Sequence, residues 1–341
     1  MSDPVEKVKE YVTKRHRRDP AILVGCKAGK WQWPVCAYDV VVFTNNVTGQ
    51  IPVQLDGAIL NIYYHFHQEL EDRTNYDISI ALLKAKILND PNLFLVSLKE
   101  GLLKREKELF SQAYENQILN LLKHLTYAEE AYGLQALFSS AFWLLVFGYD
   151  VAVALNILNK ELSSPTHLIQ QIRENPLFKG SEFFVSIAHF LGLEYATTTS
   201  FKRIFSTLNL FKKMTDFYEF EDKPPTVFSR RPILLSDIKV NELFQKCQFA
   251  IEQKMPLNAH MVSTKWYIDS VRELYQAVCS MEKVSQFKPK IIEELDLRKD
   301  KVTGDKLSFS GSILNEINLD SQRKSLEEAK RIAYKLKRIR G

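Results

Sequence analysis

Apolar and polar positions change rhythm along this chain, and the changes predict its elements. From residue 3 to residue 18, Val5, Val8, Tyr11 and Val12 recur at helical spacing, and Asp19-Pro20 ends the helix. Three short β-rich runs follow: Ala21–Gly25, Tyr38–Phe43 and Ala58–Phe66. They predict three strands, with a hairpin-like loop at 45–49 and an Asp56-Gly57 turn before the third. From Glu69 the rhythm becomes helical. Ile78–Leu88 is apolar at helical spacing, Asp90-Pro91 is a turn, 92–97 is a short apolar run and Leu98–Ala131 is a long helix. Ala136–Asn159 predicts a buried helix pair, because Ser139, Ser140, Gly148, Asp150 and Asn156 interrupt its apolar run. Ser164–Asn175, with Ser164 as N-cap and Pro165 in the first turn, Ser181–Ala196 and Phe201–Tyr218 are the next helices.

The segment 219–232, with its prolines and charges, predicts a break. A helix then starts at Ser236-Asp237, and another spans about 262–284. Residues 286–320 are polar with little periodicity, and a basic helix, Ser321–Arg340, closes the chain. The fold class is therefore α+β: a small mixed sheet over 1–97, a helical domain over 98–220, a linker at 221–232 and a helical region over 233–341.

Composition sharpens this outline. Hydrophobic residues make up 45% of 341, enough for a buried core. The net charge is +5, but residues 321–341 carry eight Lys/Arg against Glu327 and Glu328, so the body is nearly neutral. That terminal helix also has an apolar face, so it either docks on the body or contacts the phosphates of a nucleic acid. Cys26, Cys36, Cys247 and Cys279 fit no CxxC zinc spacing. Few cysteines in a long chain, with no apolar leader, point to a reducing cytoplasm and no membrane.

Several residues invite chemistry and have plainer explanations. Trp31 and Trp33 could stack a base, but such residues more often cover a small sheet. His65 and His67 alternate on a predicted strand, with Glu69 the nearest acid and no further ligand. Trp143, Phe142 and Phe147 form a core stripe, Cys247 and Cys279 sit among apolar neighbours, and His189 and His260 have no evident partner. GCKAGK is not a P-loop, since the GxxxxGK[ST] spacing is missing.

One ordered set of motifs stands out. Val24-Gly25-Cys26 is followed after a gap by Ala37-Tyr38-Asp39-Val40-Val41-Val42, then by Asp56-Gly57-Ala58-Ile59-Leu60-Asn61-Ile62, then by Leu88-Asn89-Asp90-Pro91 before helices. The order resembles the nucleotidyltransferase superfamily, the polymerase-β-like fold, over about residues 5–215. The resemblance implies a glycine bend that approaches a triphosphate and carboxylates that hold Mg²⁺. It also implies a degraded centre. Of three expected acids only Asp39 is present, with Ala37 at the first and Asn61 at the third. Asp56 is a conceivable substitute, from a turn.

On this reading Asp39 is the catalytic and metal residue, and Gly25, Cys26, Lys27, Lys30 and Asn61 line the nucleotide site. Lys27 and Lys30 could meet phosphates, though loop lysines are ordinarily solvated. If active, the protein would transfer a nucleoside monophosphate from a nucleoside triphosphate to a hydroxyl with Mg²⁺. The alternative is a non-catalytic scaffold or nucleic-acid-binding protein that uses the helical domain and the basic tail.

Overall fold

The computed structural model describes residues 4–70, 72, 75–177, 182–217, 233–281, 289–302 and 318–339. The predicted linker at 221–232 lies outside them, as do Arg340 and the side chain of Cys279. The architecture is α+β, a five-stranded mixed sheet near the N-terminus followed by helices.

Helix α1 (Pro4–Arg15) leads into β1 (Ala21–Val24), β2 (Tyr38–Thr44), β3 (Gly49–Leu55) and β4 (Ala58–Phe66). Then come α2 (Tyr76–Lys84), β5 (Lys86–Asn89), α3 (Phe94–Lys104), α4 (Glu106–Gly133) and α5 (Leu137–Leu158). The remaining helices are α6 (Leu168–Glu174), α7 (Glu182–Phe190), α8 (Thr198–Phe217), α9 (Asp237–Glu252), α10 (Pro256–Met281), α11 (Ile291–Val302) and α12 (Leu319–Arg338).

The sheet order is β3-β4-β2-β1-β5. β2 runs parallel to β4 and antiparallel to β1, while β3 and β5 are antiparallel edges. Alternation along the strands sends Leu23, Val40, Val42, Leu60 and Ile62 to a core under α1. Ile22 and Phe43 face the opposite way, toward α2 and α3. Asp39 and Asn61 fall on this second face by the same alternation.

The three expected strands are present, and two more accompany them. The expected loop at 45–49 leads into β3, an edge strand that tolerates Pro52 and hairpins to β4 through Asp56-Gly57 at φ 49° and 81°. Ile87 and Leu88, in phase with the helix before them, belong instead to β5. His67 begins a 3₁₀ turn after β4, so it does not share a strand with His65.

The helical core is built around α5. The expected helix pair is one continuous helix, long and apolar enough to cross a membrane yet buried inside the body. It runs along α4 and touches α7, α11 and α12. Phe142, Trp143 and Phe147 are fully buried, and the Trp143 indole N–H donates to the Pro289 carbonyl. Gly148 lets α7 approach, since a Cβ there would lie 2.6 Å from Phe190 Cβ.

The long helix expected from Leu98 is broken at Arg105 into α3 and α4. Ser164 caps no helix. α6 starts at Leu168 behind His167, and the Ser164 side chain turns to Cys26. α11 lies within the stretch expected to lack periodicity. α12 docks through Leu326, Ala329, Ile332, Ala333 and Leu336, and Tyr114 donates its hydroxyl hydrogen to the Leu336 carbonyl at 2.8 Å. His189 does have partners, Ser325 Oγ and Glu194, and His260 Nε2 meets the Leu191 carbonyl.

Candidate functional site

The site begins with strand register. Val24 pairs with Asp39 across the β1–β2 ladder, and Asp39 pairs with Asn61 across the parallel β2–β4 ladder. The chain leaves β1 at Gly25, in the left-handed region at φ 69°. A side chain is excluded there, because a Cβ on Gly25 would lie 2.8 Å from Asp39 Oδ2. Gly25, Asp39 and Asn61 are thus brought together as the sequence suggested. With the loop after β1, α2, the 159–166 segment, α9 and α10 they line a cleft of about 800 Å³.

Asp39 is not poised as a lone metal ligand. Its Oδ1 accepts from the Asn61 amide at 2.8 Å and from the Tyr63 hydroxyl at 3.5 Å. Burial pushes its carboxyl up to about 6, with Lys246 opposing that rise and Glu242 adding to it. The Tyr63 hydroxyl is held well above the usual tyrosine range by burial and by Asp39.

The remaining members of this group come from α9. Lys239 Nζ donates to Asn61 Oδ1 at 3.1 Å and to Glu242 Oε2 at 2.7 Å, and Lys246 Nζ meets Glu242 Oε1. Lys239 also lies over the Trp266 ring, 5.5 Å from its centre. Glu242 is 2% exposed and Lys239 4%. Burial alone would raise the Glu242 carboxyl, but Lys246 and Lys239 overcome it and hold it at about 2. Lys246 is raised above the ordinary lysine range by Glu242 and Asp39, against its own burial.

Lys239, Glu242 and Lys246 form no motif in the sequence. A signal exists in their spacing: they share a helix face with Leu243, Cys247 and Ala250, which are buried. Charges in phase with an apolar stripe cannot belong to the solvated side.

This donor set does not fit Mg²⁺. The ion needs several oxygen ligands in octahedral array. Here the two nearby carboxylates are already engaged: Asp39 accepts from Asn61 and Tyr63, and Glu242 is held by Lys239 and Lys246 and lies 3.4 Å from the same Asn61 amide nitrogen. The Asn61 amide nitrogen is turned to Asp39 and the Asn61 oxygen is held by an ammonium. The ammonium groups of Lys239 and Lys246 lie among these oxygens and already neutralise Glu242.

The other expected residues divide. Lys30 lines the cleft, but its ammonium pairs with Glu161 at 3.0 Å and Glu174 at 3.6 Å. Lys27 does not line the cleft. It is buried, donates to the Trp33 carbonyl at 3.0 Å and lies near the Tyr38 ring. Asp56 is exposed in the β3–β4 turn, paired with Lys7 at 2.8 Å. It cannot replace a missing acid at the cleft.

Cys26 lines the cleft but turns inward, 3.1 Å from Ser164 Oγ. It and Trp33 join the helical core rather than the sheet; Trp33 packs edge-on to His167, with ring centres 4.8 Å apart. The Cys26 thiol is pulled below its usual range by hydrogen bonding with Cys36, which rises in turn.

The lining carries six lysines, each paired with a carboxylate: Lys30 with Glu161 and Glu174, Lys84 and Lys160 with Glu106, Lys239 and Lys246 with Glu242, and Lys265 with Asp269; Trp31, Tyr63 and Trp266 lie among them. Such a surface can hold an anion beside a flat ring.

No family model matches the chain, and no curated protein matches it. Among solved structures it is similar to a nucleotidyltransferase-like protein from Exiguobacterium sibiricum. The match has 14% identity and covers 73% of this chain and 92% of that one, with a TM-score of 0.32. A score of that size carries no argument about this chain.

Proposed function

We propose that this chain is a nucleotidyltransferase-like protein that binds a nucleotide or similar phosphorylated ring compound in its cleft, without a divalent ion and without turnover. The observation that carries this reading is the contact of Lys239 with Asn61 and Glu242, beside Asp39. An ammonium supplied by the protein occupies the neighbourhood where catalysis would need a metal and two more acids. Phosphoryl-group chemistry depends on positioned charge at the reacting oxygens. The carboxylates at the floor, Asp39 and Glu242, are both engaged by protein donors, so the cleft lacks that charge, while its paired lysines can exchange a carboxylate partner for a phosphate beside the rings of Trp31 and Trp266. Its volume suits a ligand of nucleotide size.

The test is calorimetry with adenosine and guanosine mono-, di- and triphosphates, in Mg²⁺ and then in EDTA. The expected result is binding of at least one of them with the same affinity in both buffers, weakened in Lys246→Met, and no pyrophosphate release. Binding that requires Mg²⁺, or release of pyrophosphate, would restore the catalytic reading. No binding by any nucleotide would remove the ligand class.

A second reading concerns α12. Its apolar face is docked, while Arg323, Lys324, Lys330, Arg331, Lys337 and Arg338 are exposed. A stripe of this kind suits the phosphates of a nucleic acid. Its affinity for a short RNA or DNA should fall steeply with salt.

A further inference from the structure

A second group of donor atoms lies behind the wall of the cleft. The sulfurs of Cys26 and Cys36 and a ring nitrogen of His167 all lie within 4.8 Å of one another. All three residues are buried, at 8%, 4% and 0% exposure. Sequence spacing hides them. The cysteines are ten apart, and His167 lies 131 residues beyond Cys36.

The geometry is close to that of a bound ion. Around a tetrahedral zinc, two sulfurs stand about 3.8 Å apart and a sulfur and an imidazole nitrogen about 3.6 Å. Cys36 Sγ lies 3.4 Å from His167 Nε2 already. Closing the remaining separations takes shifts of about 1 Å.

The surroundings orient these donors. Gln170 Oε1 can only accept, so His167 Nδ1, 2.8 Å from it, carries the ring hydrogen. The lone pair of Nε2 is then left facing the sulfur. An outer partner of this kind is what fixes a metal-binding imidazole. The Trp33 backbone N–H points at Cys36 Sγ at 3.4 Å, a donor that supports a thiolate. The Trp33 ring, edge-on to His167, holds the imidazole in place.

We infer that Cys26, Cys36 and His167 form a zinc site, with the fourth position open toward the cleft beside Ser164. Two soft sulfurs and one imidazole in tetrahedral array select zinc over the harder ions. Cys26 and Ser164 both line the cleft, so a water from that side can complete the shell. The ion would tie the β1–β2 loop to the start of α6. Cys26 thereby serves as a metal ligand instead of a phosphate cradle. This inference is independent of what binds in the cleft.

The experiment uses the full chain, expressed with added zinc and purified under reductant without chelator. Metal analysis should find close to one zinc per chain. Cys36→Ser and His167→Ala should lose it, and Cys247→Ser should keep it. Wild-type protein stripped by chelator and titrated with Co²⁺ should develop a thiolate-to-cobalt absorption band that saturates at one equivalent and disappears when zinc is added. This arm does not depend on any variant folding. Folded, reduced wild type that takes up neither ion would overturn the inference. So would a Cys36→Ser variant that retains its zinc, or a Cys26–Cys36 disulfide in the protein as isolated.

Discussion

Lys239 Nζ lies 3.1 Å from Asn61 Oδ1, across 178 residues of chain. The contact joins α9 to β4 at the floor of the cleft. It fixes the amide orientation of Asn61, because the oxygen faces the ammonium and the nitrogen is left for Asp39. The electrostatic character of the site follows from this pair.

Lys239→Met should therefore destabilise the protein and open the site together. Glu242 would keep Lys246 as its one cation beside the Asn61 amide, and Asn61 Oδ1 would lose its donor. Breaking a buried ion pair by removing one partner costs about 3 kcal/mol. Urea unfolding would show a lower midpoint at pH 7 with an unchanged slope. Adding Glu242→Gln should recover part of the loss, since the stranded charge is then gone.

Asp39 gives a pH dependence of unusual sign. Its carboxyl titrates at about 6 when folded against an ordinary 3.8. Between those values the folded state holds the extra proton, so stability falls as pH rises through this window. Glu242 acts oppositely, but its loss is confined to pH below about 4.5. Asp39→Asn should remove the slope between pH 4 and 6. It should be more stable than wild type at pH 7 by about 1–2 kcal/mol, after allowance for water in the cleft. Equal slopes in the two proteins would show that Asp39 is not held in this state.

Gly25→Ala tests the bend itself. The added methyl meets Asp39 Oδ2 at 2.8 Å, and the backbone stays at φ 69°. Strain of this kind costs about 1–3 kcal/mol. The melting temperature should drop. Combining the change with Asp39→Ala should cost less than the two changes separately, because the clash disappears with the carboxylate.

Deleting residues 319–339 should damage the body rather than only remove charge. Leu326, Ile332 and Leu336 are buried, and Tyr114 loses its acceptor at Leu336. Near-ultraviolet circular dichroism should weaken and dye binding to exposed apolar surface should rise. Replacing Lys324 and Lys337 with Gln removes charge without baring this face. Those variants are the ones that read the helix's role toward nucleic acid.

The sequence made the centre of the sheet legible and its edges obscure. β1, β2 and β4 are apolar enough to stand out, and the order of motifs along the sequence brings the Gly25 bend and Asp39 together. β3 is half exposed and contains Pro52, so its alternation is faint. β5 continues the phase of α2 and reads as more helix. Ser164-Pro165 looks like a helix start, but the chain spends that stretch lining the cleft. The α9 charges look solvated until their phase with Leu243 and Cys247 is noticed. Cys26, Cys36 and His167 form no local motif, and only tertiary folding brings them together.

The tyrosine of α4 that meets Leu336 waits 222 residues for its acceptor. Until α12 is made, α4 therefore carries a bare apolar stripe, and until α9 is made, Asp39 lacks its facing ammonium groups. The last residue lining the cleft is Asp269, so the whole lining is synthesised before the helix that covers this stripe. A truncation before α12 should therefore fail as a folding defect although every residue of the cleft is present.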